Sequence, residues 1–351
     1  MIHKIIRQQH IFQNKTTLSF IHTSIQNQIS WGKKNKKTEK SKVSNIKKYW
    51  FDRYINYIKN YEQVLEKKFP RTMHVYRVFS IGTKDLFRDV KEYLVILKKP
   101  TSSEAENLTV EQLRLTYTVP RDLIKLCPVL LISAAPFTNY IIFPLAYHFP
   151  KQLLTSHYWT LQQRLDFMLL DHKKRLKHNR PLFRCMQAEL HRITNQKLKK
   201  QWNDIIACLG SGTHPQVENI IACSELFAGP PYSLNSLKRK HIKELLGIHD
   251  ISSWTLFKQQ KLIERGMLIK RMDQAIQKQG GSIKMPNDEI RWALSFRGVS
   301  PANMSIESMR NWLDQWFIMS NAVNEDTISL LLHSPILLAY NHPTNWILIY
   351  S

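Results

Sequence analysis

Residues 127–150 read CPVLLISAAPFTNYIIFPLAYHFP, and how this stretch is read decides what kind of helical protein the chain is. From 126 to 150 there is no Asp, Glu, Lys or Arg. As continuous helix those 25 residues extend roughly 37 Å, against a hydrocarbon core roughly 30 Å thick. The stretch predicts a transmembrane segment bracketed by Lys125 and Lys151, with Tyr140, Tyr147, Tyr158 and Trp159 as interfacial anchors. The competing reading is a buried core helix, but soluble helices of this length ordinarily carry a charged face. Pro128 falls in the first turn of the segment, where its missing N–H matters least. Pro136 and Pro144 are interior and bend it, and Pro150 ends it. Its central polar side chain is the neutral Asn139, and His148 lies near one end. Conduction ordinarily needs an ionisable group at membrane depth, so the pattern favours a span over a pore.

The flanks are basic on both sides. The 351 residues carry 51 Lys and Arg against 27 Asp and Glu, a net charge of +24, which points to an anionic partner such as nucleic acid, anionic lipid or an acidic protein surface. The base is spread evenly about the span, so charge asymmetry does not orient it. Cysteines at 127, 185, 208 and 223 form no C-x-x-C and read as free thiols. The histidines make no ligand-spaced cluster, so neither a metal nor another cofactor is expected. Before Glu39 there is no acidic residue, while Lys4, Arg7 and Lys15 alternate with Ile5, Ile6, Ile11 and Phe12. That is the pattern of a mitochondrial targeting segment, assigned with its linker to 1–38; a disordered basic tail is the alternative.

Four regions follow from the periodicity. An amphipathic helical region is expected over 46–98, as two helices separated at Phe69-Pro70, the second interrupted by Gly82. A capping box at Thr109 and Gln112 opens a helix leading into the membrane, so 109–150 forms the membrane region. A second box at Thr160 and Gln163 opens a helical domain over 151–345. Within it, Asn235 or Ser236 caps a helix stopped by Gly247, and Ser252 or Ser253 opens the next. Asn287 precedes a helix stopped by Gly298, Ser305 opens another, and Asn324-Glu325-Asp326 leads into ISLLL. No alternating strand pattern appears, so the fold class is all-α: one transmembrane helix followed by a multi-helix domain.

The densest base beyond the N-terminal tail lies in 151–200, with twelve Lys and Arg against Asp166, Asp171 and Glu189. Lys173, Lys174, Arg175, Lys177, Lys199 and Lys200 are the candidate binding residues, and Lys238, Arg239 and Lys240 form a second set. Lipid phosphate beside a membrane, RNA phosphate and plain solvation all fit such a run. No stacking platform or RNA-binding fingerprint accompanies the lysines, and no DNA is expected as a partner. No phosphate-cradling glycine loop or nucleophile motif is present, so an enzyme is not expected.

Five ordered stretches resemble the Letm family: RDLIKLCP at 121–128, the proline-spaced span ending in FP at 149–150, LNSLKRKHIKELLGI at 234–248, DEIRWALSFRGV at 288–299 and SIESMRNWLDQWF at 305–317. The likeness covers roughly 110–340 and is greatest to short members that consist of a span and a ribosome-binding domain. It implies a mitochondrial inner-membrane protein, single-pass, with its C-terminal domain in the matrix and mitochondrial ribosomes as partner. Base beside a span adds anionic inner-membrane lipid as an expected partner, and a homo-oligomer is a further expectation. It also implies support of membrane organisation and respiratory function. Larger members are linked to proton-coupled potassium or calcium exchange, the alternative reading here. The chain departs from those members: it has no D-x-[DN]-x-[DN]-G calcium loop, and Asn139 stands where they place an acid. A neutral amide carries no proton, which weighs against autonomous exchange. Asp122 matches the acidic position before the first proline and is expected to pair with Arg121 or Lys125.

Overall fold

The structure is a computed structural model that describes residues 70–98, 108–133 and 139–350. The expected targeting segment, the first amphipathic helix at 46–69 and Pro136 lie outside the described residues. Two compact units divide the chain, Met1–Val75 and Tyr76–Ser351. The first contributes only the opening turns of one helix to the described residues; all that follows concerns the second. Among the described residues every regular element is helical, as the periodicity predicts.

The first part holds α1 (Pro70–Leu97), α2 (Val110–Ser133), α3 (Asn139–His148) and the single turn α4 (Pro150–Leu153). Next come α5 (Leu161–Leu176), α6 (Asn179–Ala188), α7 (Gln196–Gly210), α8 (Val217–Ala222), α9 (Glu225–Ala228) and α10 (Arg239–Ile248). The chain continues through α11 (Lys258–Lys278), α12 (Gly281–Lys284), α13 (Asn287–Arg297), α14 (Ile306–Ala322), α15 (Ile328–Ala339) and α16 (Pro343–Tyr350).

The axis of the domain is α15, in which every residue from Ile328 to Ala339 is buried. A helix apolar all round must be enclosed on all sides; α6, α9, α10, α11 and α14 pack around it. One continuous core joins them, with Trp202, Leu245, Leu262, Ile269, Leu313 and Trp316 fully buried. At its centre Asp273 of α11 accepts from Arg297 Nε at 3.0 Å and from Arg297 Nη2, from Trp316 Nε1 at 2.9 Å and from Ser320 Oγ at 2.6 Å. This buried carboxylate therefore ties α11 to α13 and α14 with four hydrogen bonds. Asn345 of α16 is equally saturated. Its Oδ1 takes Ser300 N and His172 Nε2, and its Nδ2 donates to the carbonyls of Gly298 and Ala339.

Local signals explain most boundaries. Both capping boxes form, at Thr109 with Gln112 and at Thr160 with Gln163. Ser305 caps α14, and Gly298 ends α13 with φ of 100°. α1 begins at Pro70, where a fixed φ suits the first turn. Two expectations need correction. Gly82 does not interrupt α1; a Cβ there would stand 2.6 Å from His157 O, so glycine lets the 3₁₀ turn Ser156–Tyr158 press against the helix. Pro128 lies well inside α2, because the helix that starts at Val110 runs on through it.

The uncharged stretch is folded back on itself. Lys125 Nζ sits 4.7 Å from the centroid of the Trp159 ring, and Trp159 Nε1 donates to Pro150 O at 3.1 Å. The two ends of the stretch thus meet. Leu126 and Val129 of α2 share a small core with Ile142 and Ala146 of α3 and with Leu86, Leu154 and Tyr158. Among the described residues no helix is long and apolar enough to cross a membrane. The apolar arm in α3 is 10 residues, about 15 Å. Leu130, Leu131 and Ile132 of α2 and Leu145 and Tyr147 of α3 remain exposed.

Candidate functional site

The basic residues singled out by sequence fall on three helices: the C-terminal end of α5, the start of α7, and α10 with its N-cap. Helix α10 buries His241, Ile242, Leu245, Leu246 and Ile248 and leaves Arg239, Lys240 and Lys243 exposed, as a 3.6-residue period dictates. Its start is later than expected: Lys238, not Asn235 or Ser236, occupies the N-cap, and no side chain caps it. Ser236 Oγ instead accepts from Ser233 Oγ in the preceding turn. Gly247 does not stop the helix. A Cβ there would meet the His178 ring at 2.5 Å, so glycine admits the ring and lets His178 Nδ1 reach Glu244 Oε2 at 2.7 Å.

Other members of the predicted set have separate fates. Arg175 is not a free cation. Its guanidinium donates to Ile248 O at 2.6 Å, Ser295 O at 2.6 Å and Phe296 O at 3.1 Å, pinning the end of α5 to α10 and α13, and burial lowers its pKa. Lys174 approaches Asp171 at 4.0 Å, Lys173 is half-buried and Lys177 is exposed. Lys199 and Lys200 stand on α7, half-buried and exposed respectively. Lys238 pairs with Glu189 at 2.7 Å. Burial pushes the Glu189 carboxyl up, but the hydrogen bonds and charges of Lys238 and Arg192 outweigh this and hold it below the usual range.

The residues expected in the membrane region also find other partners. Arg121 does not pair with Asp122; its Nη2 donates to Asp250 Oδ2 at 2.7 Å and to Asp250 O at 3.0 Å. Lys125 lies over Trp159 instead. The nearest base to Asp122 is His157, at 3.9 Å, whose other nitrogen meets Asp89 at 3.0 Å. Asn139 opens α3, Pro144 lies within it and Pro150 opens α4. Among the described residues no group of three or more His, Cys, Asp or Glu is placed to hold a metal ion.

The Arg121–Asp250 pair anchors a loop that sequence reading missed. Ser252 does not open α11; its Oγ accepts from Trp254 N at 3.3 Å and closes a turn of its own. The helix begins at Lys258, after Phe257 in the left-handed region at φ 53°. The side chains of Trp254, Leu256 and Phe257 are left 93%, 77% and 81% exposed. With α10 the loop bounds an open groove of about 590 Å³ lined by Arg239, Lys240, Lys243, Glu244, Ser253, Trp254 and Lys258. Lys243, Trp254 and Lys258 were not on the sequence list. The signal available was three large apolar residues directly before a lysine-rich helix, masked by two serines that look like caps.

Further along α11, Arg265 is buried between the rings of Phe296 and Tyr117, 3.8 and 4.5 Å from their centroids. Its Nε and Nη1 have no partner, and burial lowers its pKa to about 10. Tyr117 in turn accepts from Arg121. One aromatic and cationic seam thus holds the first half of α2 against α11 and α13.

The described domain coincides with a known sequence family. The model described as "LETM1-like, RBD" matches residues 108–337. A Xenopus tropicalis protein called LETM1 domain-containing protein 1 is 30% identical over 286 residues, covering 80% of this chain and 81% of the relative. A human protein of the same name is 27% identical over 325 residues, covering 90% and 89%. The Bos taurus protein is 29% identical over 290 residues, covering 80% and 79%. No solved structure matches.

Proposed function

The chain belongs to the LETM1-like, RBD family, a family of ribosome-binding domains, and from that premise we propose that it is a mitochondrial inner-membrane protein whose helical domain binds mitochondrial ribosomes on the matrix side. The carrying observation is the family match over 108–337, which spans both the uncharged stretch and the closed helical domain behind it. The stretch at 126–150 is the membrane-embedded part, single-pass once lipid replaces the contacts between α2 and α3. The small core that holds those arms together is bordered by exposed Leu130, Leu131, Ile132 and Leu145, side chains that gain from an apolar solvent. Its placement supports inner-membrane organisation and respiratory function by holding ribosomes where their products are inserted.

Lys174, Lys177 and Lys200 supply the ribosomal contact, with Lys173 and Lys199 beside them, because the first three are exposed and none is held as closely as Arg175 and Lys238 are, Lys174 standing 4.0 Å from Asp171. Phosphate neutralisation by such residues makes binding fall steeply with salt. The full chain, solubilised in mild detergent, is expected to sediment with mitochondrial ribosomes. Reversing Lys174, Lys177 and Lys200 to Glu should abolish this at physiological salt and flatten the salt dependence of what remains. Unchanged sedimentation of that variant across a salt series would overturn the assignment.

A further inference from the structure

The loop at 252–258 combines three features that no part of the helical core needs. Three large apolar side chains, Trp254, Leu256 and Phe257, point to solvent in succession. Phe257 holds the left-handed conformation, which a residue with a Cβ adopts at an energetic cost, and it gains no burial in return. Strain that is kept without a packing benefit marks a segment held for another purpose. Around this tip stand Arg239, Lys240, Lys243 and Lys258; Glu244, the acid lining the groove, is occupied by His178.

The loop is also tied to the uncharged stretch. Asp250, two residues before Ser252, is held by Arg121, and α2 carries no charge beyond Lys125. Leu123 and Ile124, next to Arg121, are exposed as well. The apolar tip and its ring of cations therefore sit beside the point where the chain enters its apolar stretch.

The geometry points to a second membrane contact: the tip Trp254, Leu256 and Phe257 dips into the boundary between headgroups and acyl chains, and Arg239, Lys240, Lys243 and Lys258 bind the phosphates of anionic phospholipid. Aromatic and aliphatic side chains rimmed by lysine and arginine are what an anionic interface takes up. A nucleic-acid strand would use the Trp254 ring and the cations but would leave Leu256 without a partner. The contact would hold the base of the domain flat on the bilayer and leave the cations of α5 and α7 for the ribosome. This inference rests on the membrane reading given under Proposed function.

The test uses the full chain reconstituted in vesicles of phosphatidylcholine alone or with cardiolipin, both containing acyl-brominated phosphatidylcholine. Trp254 is exposed, so Trp254→Phe is expected to fold, and the difference between it and the wild type isolates the Trp254 signal. The expected result is bromine quenching of Trp254 only with cardiolipin, lost in Lys240→Glu/Lys243→Glu. Far-ultraviolet circular dichroism of each variant should match the wild type. If the chain floats with the vesicles but aqueous iodide quenches Trp254 equally in both compositions, the loop contact is wrong and the span is untouched. If the chain does not float, both readings fall. If ribosomal RNA shields Trp254 from iodide and cardiolipin does not, the groove is an RNA site and the proposal is overturned.

Discussion

Asp273 shows how one buried side chain can decide whether a helical domain closes. Its two oxygens accept four hydrogen bonds from three side chains, one of them the buried guanidinium of Arg297. Removing one partner of a buried charge pair leaves the other uncompensated, at a cost of roughly 3–5 kcal/mol. Asp273→Asn is therefore expected to lower stability by about 3 kcal/mol or more, read from urea unfolding followed by circular dichroism. A loss below about 1 kcal/mol would mean that water or rearrangement supplies Arg297 with another acceptor. Arg265 is the counter-case. It is buried with two unpartnered nitrogens and held by ring faces, so its charge contributes position rather than pairing.

Between elements, α1 packs closely against the turn at Ser156–Tyr158 in the smaller core. A methyl at Gly82 would collide with backbone, which cannot rotate away as a side chain can. Gly82→Ala should push the turn off α1 and cost about 1–3 kcal/mol locally. Hydrogen exchange should then speed up in α1, while α11 and α15 keep their protection. Uniform acceleration throughout would show that the two cores unfold as one. The same scale shows what was legible in the sequence. Thr109, Thr160, Ser305 and Gly298 act through bonds within four residues, and each was readable from its neighbours. Gly247 and Ser252 carry the same local signals but were misread, because His178 and a competing turn, not the local chain, decide their roles. The candidate site was half legible for a related reason. Charge can be counted along a sequence, so Arg239 and Lys240 were found. That Arg175 faces three carbonyls inward, or that Trp254 faces outward, is settled only by packing between distant segments.

Across the whole molecule the buried histidines set an acid limit. His333 Nδ1 must donate to Ser329 O at 2.7 Å, so its Nε2 accepts from His241 Nε2 at 2.8 Å, and both rings are neutral. Burial, then the neighbouring ring, holds His241 far below its ordinary pKa, and burial holds His333 at about 4. His172 is held at about 3 by burial and then by Arg175, and His249 well below its ordinary value by burial and then by Arg265. In the unfolded chain all four take up protons near pH 6.5, so the unfolded state binds more protons once the pH falls below that value. Stability is then expected to be flat above about pH 7 and to fall with acidification, each histidine adding up to about 1.4 kcal/mol per pH unit until its folded pKa is reached. Urea midpoints compared between about pH 7.5 and about pH 5 should drop, and equal midpoints would contradict neutral buried rings.

The position of α15 in the chain has a consequence for synthesis. Translation runs from the N-terminus, so α6, α9, α10, α11 and α14 leave the exit tunnel before the helix they enclose. Until residues 328–339 emerge, the inner faces bearing Leu245, Leu262, Ile269 and Leu313 form an open hydrophobic trough. Such a nascent chain is prone to aggregate and calls for a holding chaperone until the last strut arrives. A stop codon or frameshift anywhere before residue 328 removes that strut, and its product is expected to be degraded rather than to persist as a shorter working domain.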